Sequence, residues 1–166
     1  MEIRIKETGQ VMLESEFRQF HLNNNGPTWS ITTPEILESL GADVVFEGPQ
    51  ATGGSRYQFS QRDGVELING KWFTKYILGP IFTDTPATES QPAKTASENE
   101  AEYKAYKDAE QAKAVRDQRN TKLSETDWTQ LADSSADKVV YATYRQALRD
   151  ITKQDGFPWD INWPTL

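Results

Sequence analysis

The chain has 166 residues, 36% of them hydrophobic and 11% aromatic, which is enough apolar material for one ordinary domain or two small ones. Its formal net charge is −7, and because Lys and Arg are scattered among acids we expect no nucleic-acid partner. Cysteine is absent, so disulfides and thiolate metal sites are excluded. The sequence begins with no signal peptide, and no apolar run approaches the roughly 20 residues of a membrane helix, so we expect a soluble compartment and no membrane insertion.

Composition divides the chain into three parts, and the predicted fold class is α+β. Residues 1–83 have the pattern of a small domain with an antiparallel β-meander and short helices, which we expect to dock to another protein. Residues 84–97 are rich in Pro, Ser and Thr and predict a linker. Residues 98–166 predict a long helix, then a helix-turn-helix that ends in an aromatic, Pro-rich tail.

Three short elements are predicted in the first part. In residues 3–6, Ile alternates with a basic residue, which is the period-2 pattern of a half-buried strand. After an Asn-rich break, Thr33 followed by Pro34 predicts a helix start, because the hydroxyl accepts an otherwise unpaired amide and proline suits the first turn. Gly41 predicts the end of that helix in a left-handed conformation, and residues 44–46 predict the next strand.

The clearest local pattern lies between residues 57 and 77. Two turn dipeptides, Asp63-Gly64 and Asn69-Gly70, separate three runs of β-forming residues. Asn-Gly favours a two-residue hairpin turn, since both central residues of that turn need positive φ. The pattern therefore predicts a three-stranded antiparallel meander with one aromatic face, which we interpret as core rather than as a ligand surface.

Two helices are predicted in the last part. Glu98 to about Leu123 is rich in helix-forming residues without Gly or Pro, and predicts a helix roughly 40 Å long. Its apolar stripe is thin and mostly Ala, so it needs a surface to pack on. A second helix is predicted from about Ala136 to Ile151, with Ser134 or Ser135 as its cap, and residues 157–164 are expected to be extended.

Three tryptophans follow the long helix, and two roles stay open for them. Trp128 and Trp159 are expected to fold back on the apolar face Val140–Ile151 of the second helix and form a hydrophobic clasp. The alternative is that they anchor in a partner's pocket, because Trp, Tyr and Arg are frequent in binding hot spots. Trp163, nearest the end, is the better candidate for a partner contact. A segment of about 45 residues is too short for a self-sufficient core.

Residues that carry chemistry are few. His21 is the one histidine, and no nucleophile elbow lies near it. Gly53-Gly54 lacks the Lys and Ser/Thr of a phosphate loop. Three aspartates between residues 127 and 137 lack the glycine and terminal glutamate of a calcium loop. We therefore predict no catalytic residue, no metal site and no cofactor.

An ordered series of motifs fills the last third of the chain, from about residue 113 to 166. The series is Arg116-Asp-Gln-Arg119-Asn120, Thr126-Asp127-Trp128-Thr129-Gln130-Leu131, Tyr144-Arg145-Gln146-Ala147-Leu148-Arg149-Asp150, and Gly156-Phe157-Pro158-Trp159 with Trp163-Pro164. It resembles the phage tail assembly chaperone family, whose usual Pro after the second motif is Ala132 here. Residues 40–49 and 68–72 also resemble N-terminal segments of phage tail-associated proteins.

The resemblance implies a non-enzymatic structural or assembly protein of the virion tail, made in the host cytoplasm, that attaches or organises tail fibres or other tail proteins. Tail or tail-fibre proteins are the implied partners, and the long helix also allows a homo-oligomer. Two alternatives stay open: a transient chaperone absent from the mature virion, or a host-receptor-binding tail component. The partner-binding candidates are the aromatic and basic residues of the motifs, namely Trp163, Trp159, Trp128, Phe157, Tyr144, Arg145 and Arg149.

Overall fold

The computed structural model describes residues 1–166, which form two compact units, Met1–Ile81 and Phe82–Leu166. The first unit contains β1 (Glu2–Ile5), β2 (Val11–Leu13), α1 (Glu14–Asn23), α2 (Pro34–Ser39), β3 (Ala42–Phe46), β4 (Phe59–Ile68) and β5 (Lys71–Gly79). The second contains α3 (Ala96–Glu125), a 3₁₀ turn (Asp127–Gln130), α4 (Lys138–Arg149) and a second 3₁₀ turn (Asp150–Lys153). The predicted α+β class is confirmed.

The first unit is a five-stranded sheet in the order β2-β1-β3-β5-β4. β3 and β5 run parallel, and the other neighbouring pairs are antiparallel. Helices α1 and α2 pack beside β1, β2 and β3. The core therefore lies at that end of the sheet, and its buried residues are Ile3, Phe17, Leu37 and Ala42.

Several local predictions for this unit are confirmed. The Thr33 side chain accepts a hydrogen bond from the Ile36 amide (3.4 Å), and α2 begins at Pro34. Gly41 ends that helix with φ 69°. Asn69-Gly70 forms the turn between β4 and β5, with φ of 50° and 76° at its two residues. At this turn the local sequence alone dictates the backbone, because few residue types adopt positive φ at low cost.

The predicted turn at Asp63-Gly64 is wrong. Both residues lie inside β4, where the pairing register with β5 shifts between Arg62 and Val65. Gly64, with φ 80°, allows an irregularity in one long strand instead of a reversal of the chain. The three predicted runs therefore form a two-stranded hairpin, and β2 and α1 are elements that the sequence patterns did not predict.

The helices of the second unit begin at side-chain caps. The Thr95 side chain accepts from the Glu98 amide, and Glu98 accepts in return from the Thr95 amide at 2.7 Å, a capping box that lowers the pKa of Glu98. For α4 the predicted serine cap is wrong. Asp137 caps this helix instead, accepting from the amides of Val139 (3.0 Å) and Val140 (3.1 Å).

The segment predicted as a linker lies against the start of α3. Thr85 and Lys94 form an isolated antiparallel bridge. The Ala96 amide donates to Asp84 Oδ1 at 2.7 Å, and the Asn99 amide group donates to the Thr83 carbonyl at 2.8 Å. None of the helices combines the length and the apolar character that crossing a membrane requires.

Candidate functional site

The second unit buries few apolar side chains. On α3, Ala112 and Val115 are buried. Leu148 on α4 and Ile151 just after it are fully buried, at 0% exposure. These four residues are the buried apolar core of residues 82–166. Large side chains elsewhere in this unit are half-buried or exposed, so polar contacts must define much of its geometry.

The turn that joins α3 to α4 is organised around a buried arginine. Arg145 is 6% exposed, and its Nη1 donates to the Leu123 carbonyl and to Thr126 Oγ1, each at 2.7 Å. Its Nη2 donates to Asp127 Oδ1 at 2.7 Å. The guanidinium thus satisfies a carbonyl at the end of α3, where the helix itself offers no partner. Thr129 is also buried, and its hydroxyl donates to the Thr126 carbonyl at 2.7 Å.

A second cation of α4 holds the same turn. The Lys138 ammonium donates to the Thr129 carbonyl at 2.9 Å and to the Leu131 carbonyl. Lys138 and Arg145 are seven residues apart, two helical turns, and therefore lie on one side of α4. Trp128 sits in the turn that these cations hold. Its ring is 51% exposed and meets the Tyr141 ring edge-on, with the centroids 5.9 Å apart.

The aromatic tail lies along α3. The Trp159 indole N–H donates to Asp108 Oδ1 at 2.6 Å. The Phe157 ring lies 5.4 Å from the guanidinium carbon of Arg116. This contact is of the cation–π type, and the polar residues of α3 that make these contacts hold the tail.

One expectation about the tail is corrected. Residues 157–160 are not extended, because the amides of Trp159 (2.9 Å) and Asp160 (2.8 Å) both donate to the Gly156 carbonyl and close a turn. The packing of Trp159 on the Val140–Ile151 face of α4 stays a prediction. The hydrogen bond from the Trp159 indole to α3 is a contact that the sequence patterns did not predict.

An apolar groove borders the open face of α4. It has a volume of about 330 Å³, and we call it the α4 groove. Its lining residues are Val139, Val140, Thr143, Tyr144, Ala147, Pro164, Thr165 and Leu166. Val139 is 76% exposed, a high value for a β-branched apolar side chain. Such exposed apolar surface is typical of places where proteins bind one another.

The seven predicted partner-binding residues therefore lie in several different structural environments. Trp128 is exposed, and Tyr144 lines the α4 groove. Phe157 and Trp159 contact α3, as does Trp163, whose ring lies 5.6 Å from the Lys122 ammonium. Arg145 is buried under the turn.

The remaining candidate, Arg149, is exposed at the end of α4. Beside it, the Lys153 ammonium and the Gln146 amide lower the pKa of Asp150. The groove residues Val139, Pro164 and Leu166 were not among the predicted residues. The signal that was available for them was an apolar residue at the first turn of a helix, with no apolar partner predicted for it.

A helical pair with a polar lock, an aromatic tail laid on the first helix and an open apolar groove is an arrangement suited to binding another protein. The comparison with protein families agrees with this class. The family model described as phage tail assembly chaperone protein matches residues 112–166, a third of the chain. The match begins at Ala112, the first buried residue of α3, and includes the whole buried apolar core of the second unit.

The predicted C-terminal resemblance is thus confirmed for residues 112–166, and the resemblance of the N-terminal segments stays a prediction. Neither a curated protein nor a solved structure matches the chain.

Proposed function

We propose that this chain is a non-enzymatic phage tail protein that attaches or organises tail fibres or other tail proteins through protein–protein contacts. The observation that carries the proposal is the family match over residues 112–166. In that same segment the structure exposes Trp128 and the α4 groove. Tryptophan supplies more binding energy per residue than most side chains when a partner covers it, so Trp128 is the proposed anchor.

The charges around Trp128 define the chemistry of the partner. Four acids lie in or beside the turn and the start of α4: Glu125, Asp127, Asp133 and Asp137. Arg145 is paired with Asp127, and Lys138 is the other cation beside the turn, so the acids remain in excess. We therefore propose a partner segment that combines an apolar side chain for the groove with Lys or Arg at its rim.

The first unit is proposed as a second attachment point. β4 is an edge strand of the sheet, and its side chains Phe59, Leu67 and Ile68 are exposed. No helix packs on the β4–β5 hairpin to the extent that α1 and α2 pack on the other strands. A chain with apolar surface on two separate units is suited to linking two tail components.

A matched pair of substitutions on α4 tests the proposal. Ala147 lines the groove, whereas Ala142 is exposed on the same helix outside it. The full chain is co-expressed with the tail proteins of the same phage, purified through a tag, and the captured tail protein is identified and titrated. Because a carboxylate inside the groove would face the apolar side chain of the partner and not the Lys or Arg at the rim, Ala147→Asp should weaken capture about tenfold or more. Ala142→Asp should leave capture unchanged. Equal capture by both variants and the native chain would reject the groove as the contact.

Mass spectrometry of purified virions separates the structural role from the transient one. Presence of the chain at constant stoichiometry in virions supports the structural role. Its absence from virions, together with fibreless particles when its gene is disrupted, assigns it as a chaperone that leaves after assembly. Adsorption of virions that lack residues 1–81 tests the receptor-binding alternative, which requires that adsorption fail.

A further inference from the structure

The turn between α3 and α4 presents Trp128, whose ring meets that of Tyr141 on α4 edge-on. Its buried residues are Thr126 and Thr129, whereas Trp128 and Leu131 are exposed. Burial of large apolar side chains therefore does not hold this turn in place. Hydrogen bonds and charge hold it, and these come from the facing side of α4.

Arg145 is the central donor of this arrangement. It joins the last turn of α3, through the Leu123 carbonyl, to the side chains of Thr126 and Asp127, with three bonds of 2.7 Å. The guanidinium offers its donors in a fixed planar arrangement, whereas a lysine ammonium is a compact point charge, so Arg145→Lys is not a conservative change. Lys138 adds two bonds to carbonyls at the other end of the turn.

Burying a guanidinium costs free energy, so stability alone does not explain why Arg145 is buried here. Arg145 is buried, and its Nε has no hydrogen-bond partner, which is an unfavourable state for a buried donor. Replacing a buried ionic group with an apolar one is often neutral or stabilising, so such groups are retained for reasons of geometry in some proteins. In this turn the geometry concerned is that of Trp128, which lies between the acceptors of Arg145 and those of Lys138.

We propose that Arg145 is a positioning residue: it fixes the turn so that the Trp128 ring faces outward, and it acts on the partner through Trp128 instead of touching the partner itself. Lys138 supports it from the far end of the turn. This inference rests on the proposed function, since it assumes that Trp128 is a docking residue. Arg149, exposed one helical turn further along α4, has no such role and is the matched control.

The test is ¹⁹F NMR of the full chain labelled with fluorotryptophan, with the five tryptophans assigned by single Trp→Phe substitutions. Arg145→Lys and Arg145→Met should shift the Trp128 resonance and leave those of Trp159 and Trp163 in place. Arg149→Met should shift none. Asp127→Asn, at a side chain that is 64% exposed, is expected to preserve the fold and should move the Trp128 resonance by a smaller amount. An unmoved Trp128 resonance, or equal shifts of all three, would overturn the proposal.

Binding of the captured tail protein provides the second readout. Trp128→Ala and Arg145→Lys should each weaken binding, and the double variant should be no weaker than Trp128→Ala alone. Additive losses would mean that Arg145 contacts the partner directly, which contradicts a positioning role. If Trp128→Ala binds normally, the docking role of Trp128 fails. The NMR result still decides whether Arg145 sets the turn.

Discussion

The contact between the tail and α3 predicts a measurable coupling between two residues far apart in the sequence. The Trp159 indole donates to the carboxylate of Asp108 at 2.6 Å. Trp159→Phe keeps an aromatic ring in place and removes the donor. A hydrogen bond to a charged group contributes about 1.5–3 kcal/mol, and because Trp159 is only half-buried we expect a value below that range, about 1 kcal/mol.

A double-mutant cycle isolates this interaction. Trp159→Phe, Asp108→Ala and the double variant are unfolded in urea, and the helical circular dichroism signal reports α3 and α4. Each single variant should lower the free energy of unfolding, and the double variant should lose less than their sum by about 1 kcal/mol. Trp128→Phe paired with Asp108→Ala is the control and should be additive. A Trp159–Asp108 coupling below about 0.3 kcal/mol would refute the assignment of the tail to α3.

Three further predictions follow from buried or constrained residues. Leu148→Ala should lower the free energy of unfolding by about 2–5 kcal/mol in urea titrations, whereas Val139→Ala, at an exposed position, should change it by less than about 0.5 kcal/mol. Gly70→Ala should cost about 1 kcal/mol or more by the same measurement, because alanine is strained at φ 76°. The Thr32 hydroxyl and then Arg18 lower the pKa of Glu14, so its stabilising effect is complete above pH 4.5 and is lost as the pH falls through the depressed folded pKa. Glu14→Gln should therefore flatten the decrease of the melting temperature below pH 4.5.

Where a local residue choice dictates the backbone, the fold could be predicted from the sequence. Pro34 begins α2, Gly41 ends it, and Asn69-Gly70 makes the hairpin turn, because each depends on the φ that one residue type adopts cheaply. Asp63-Gly64 has the same chemistry and forms no turn. A glycine with positive φ serves a bulge as well as a turn, and pairing with β5 decides between them. That pairing is a tertiary property which the dipeptide does not encode.

Helix α1 was not predicted from the sequence for a different reason. Its fully buried residue is Phe17, and the exposed Phe20 and Leu22 obscure the apolar stripe expected of a surface helix. Arg18 fixes the following loop by donating to the Trp29 carbonyl and to the Thr32 hydroxyl at 2.7 Å. The indole N–H of Trp29 also donates to that hydroxyl, at 2.8 Å. Hydrogen bonds of this kind depend on which donor and acceptor groups meet and not on a regular spacing of apolar residues. A search for hydrophobic periodicity therefore does not find them.

The partner-binding role of the candidate residues in the C-terminal part stays a prediction, and the sequence did not predict their surroundings. An aromatic side chain was expected to seek the more apolar helix, which is α4. The tail also contacts Asp108, Arg116 and Lys122 of α3, since an indole donor needs an acceptor and an aromatic face attracts a cation, and its last residues border the α4 groove. A pattern of apolar residues ranks surfaces by hydrophobicity alone. For half-buried Trp and Phe side chains, that ranking omits the hydrogen bonds and cation–π contacts that these rings also make.

The second motif of the C-terminal series has a physical explanation in this structure. In Thr126-Asp127-Trp128-Thr129, the two threonines are buried and the aspartate meets Arg145, while the tryptophan points outward. Val115, Leu148 and Ile151 contribute about 1.5–3 kcal/mol each at most and Ala112 contributes less, against the entropy of ordering two helices and a tail. Specific hydrogen bonds and ion pairs therefore stabilise this unit more than buried hydrophobic area does. Its stability should therefore rise when a partner covers Trp128 and the α4 groove, because binding to the folded state alone shifts the folding equilibrium. Under the proposed function, the polar contacts around Arg145 would hold Trp128 exposed, and a docking protein would add the stability that the small core lacks.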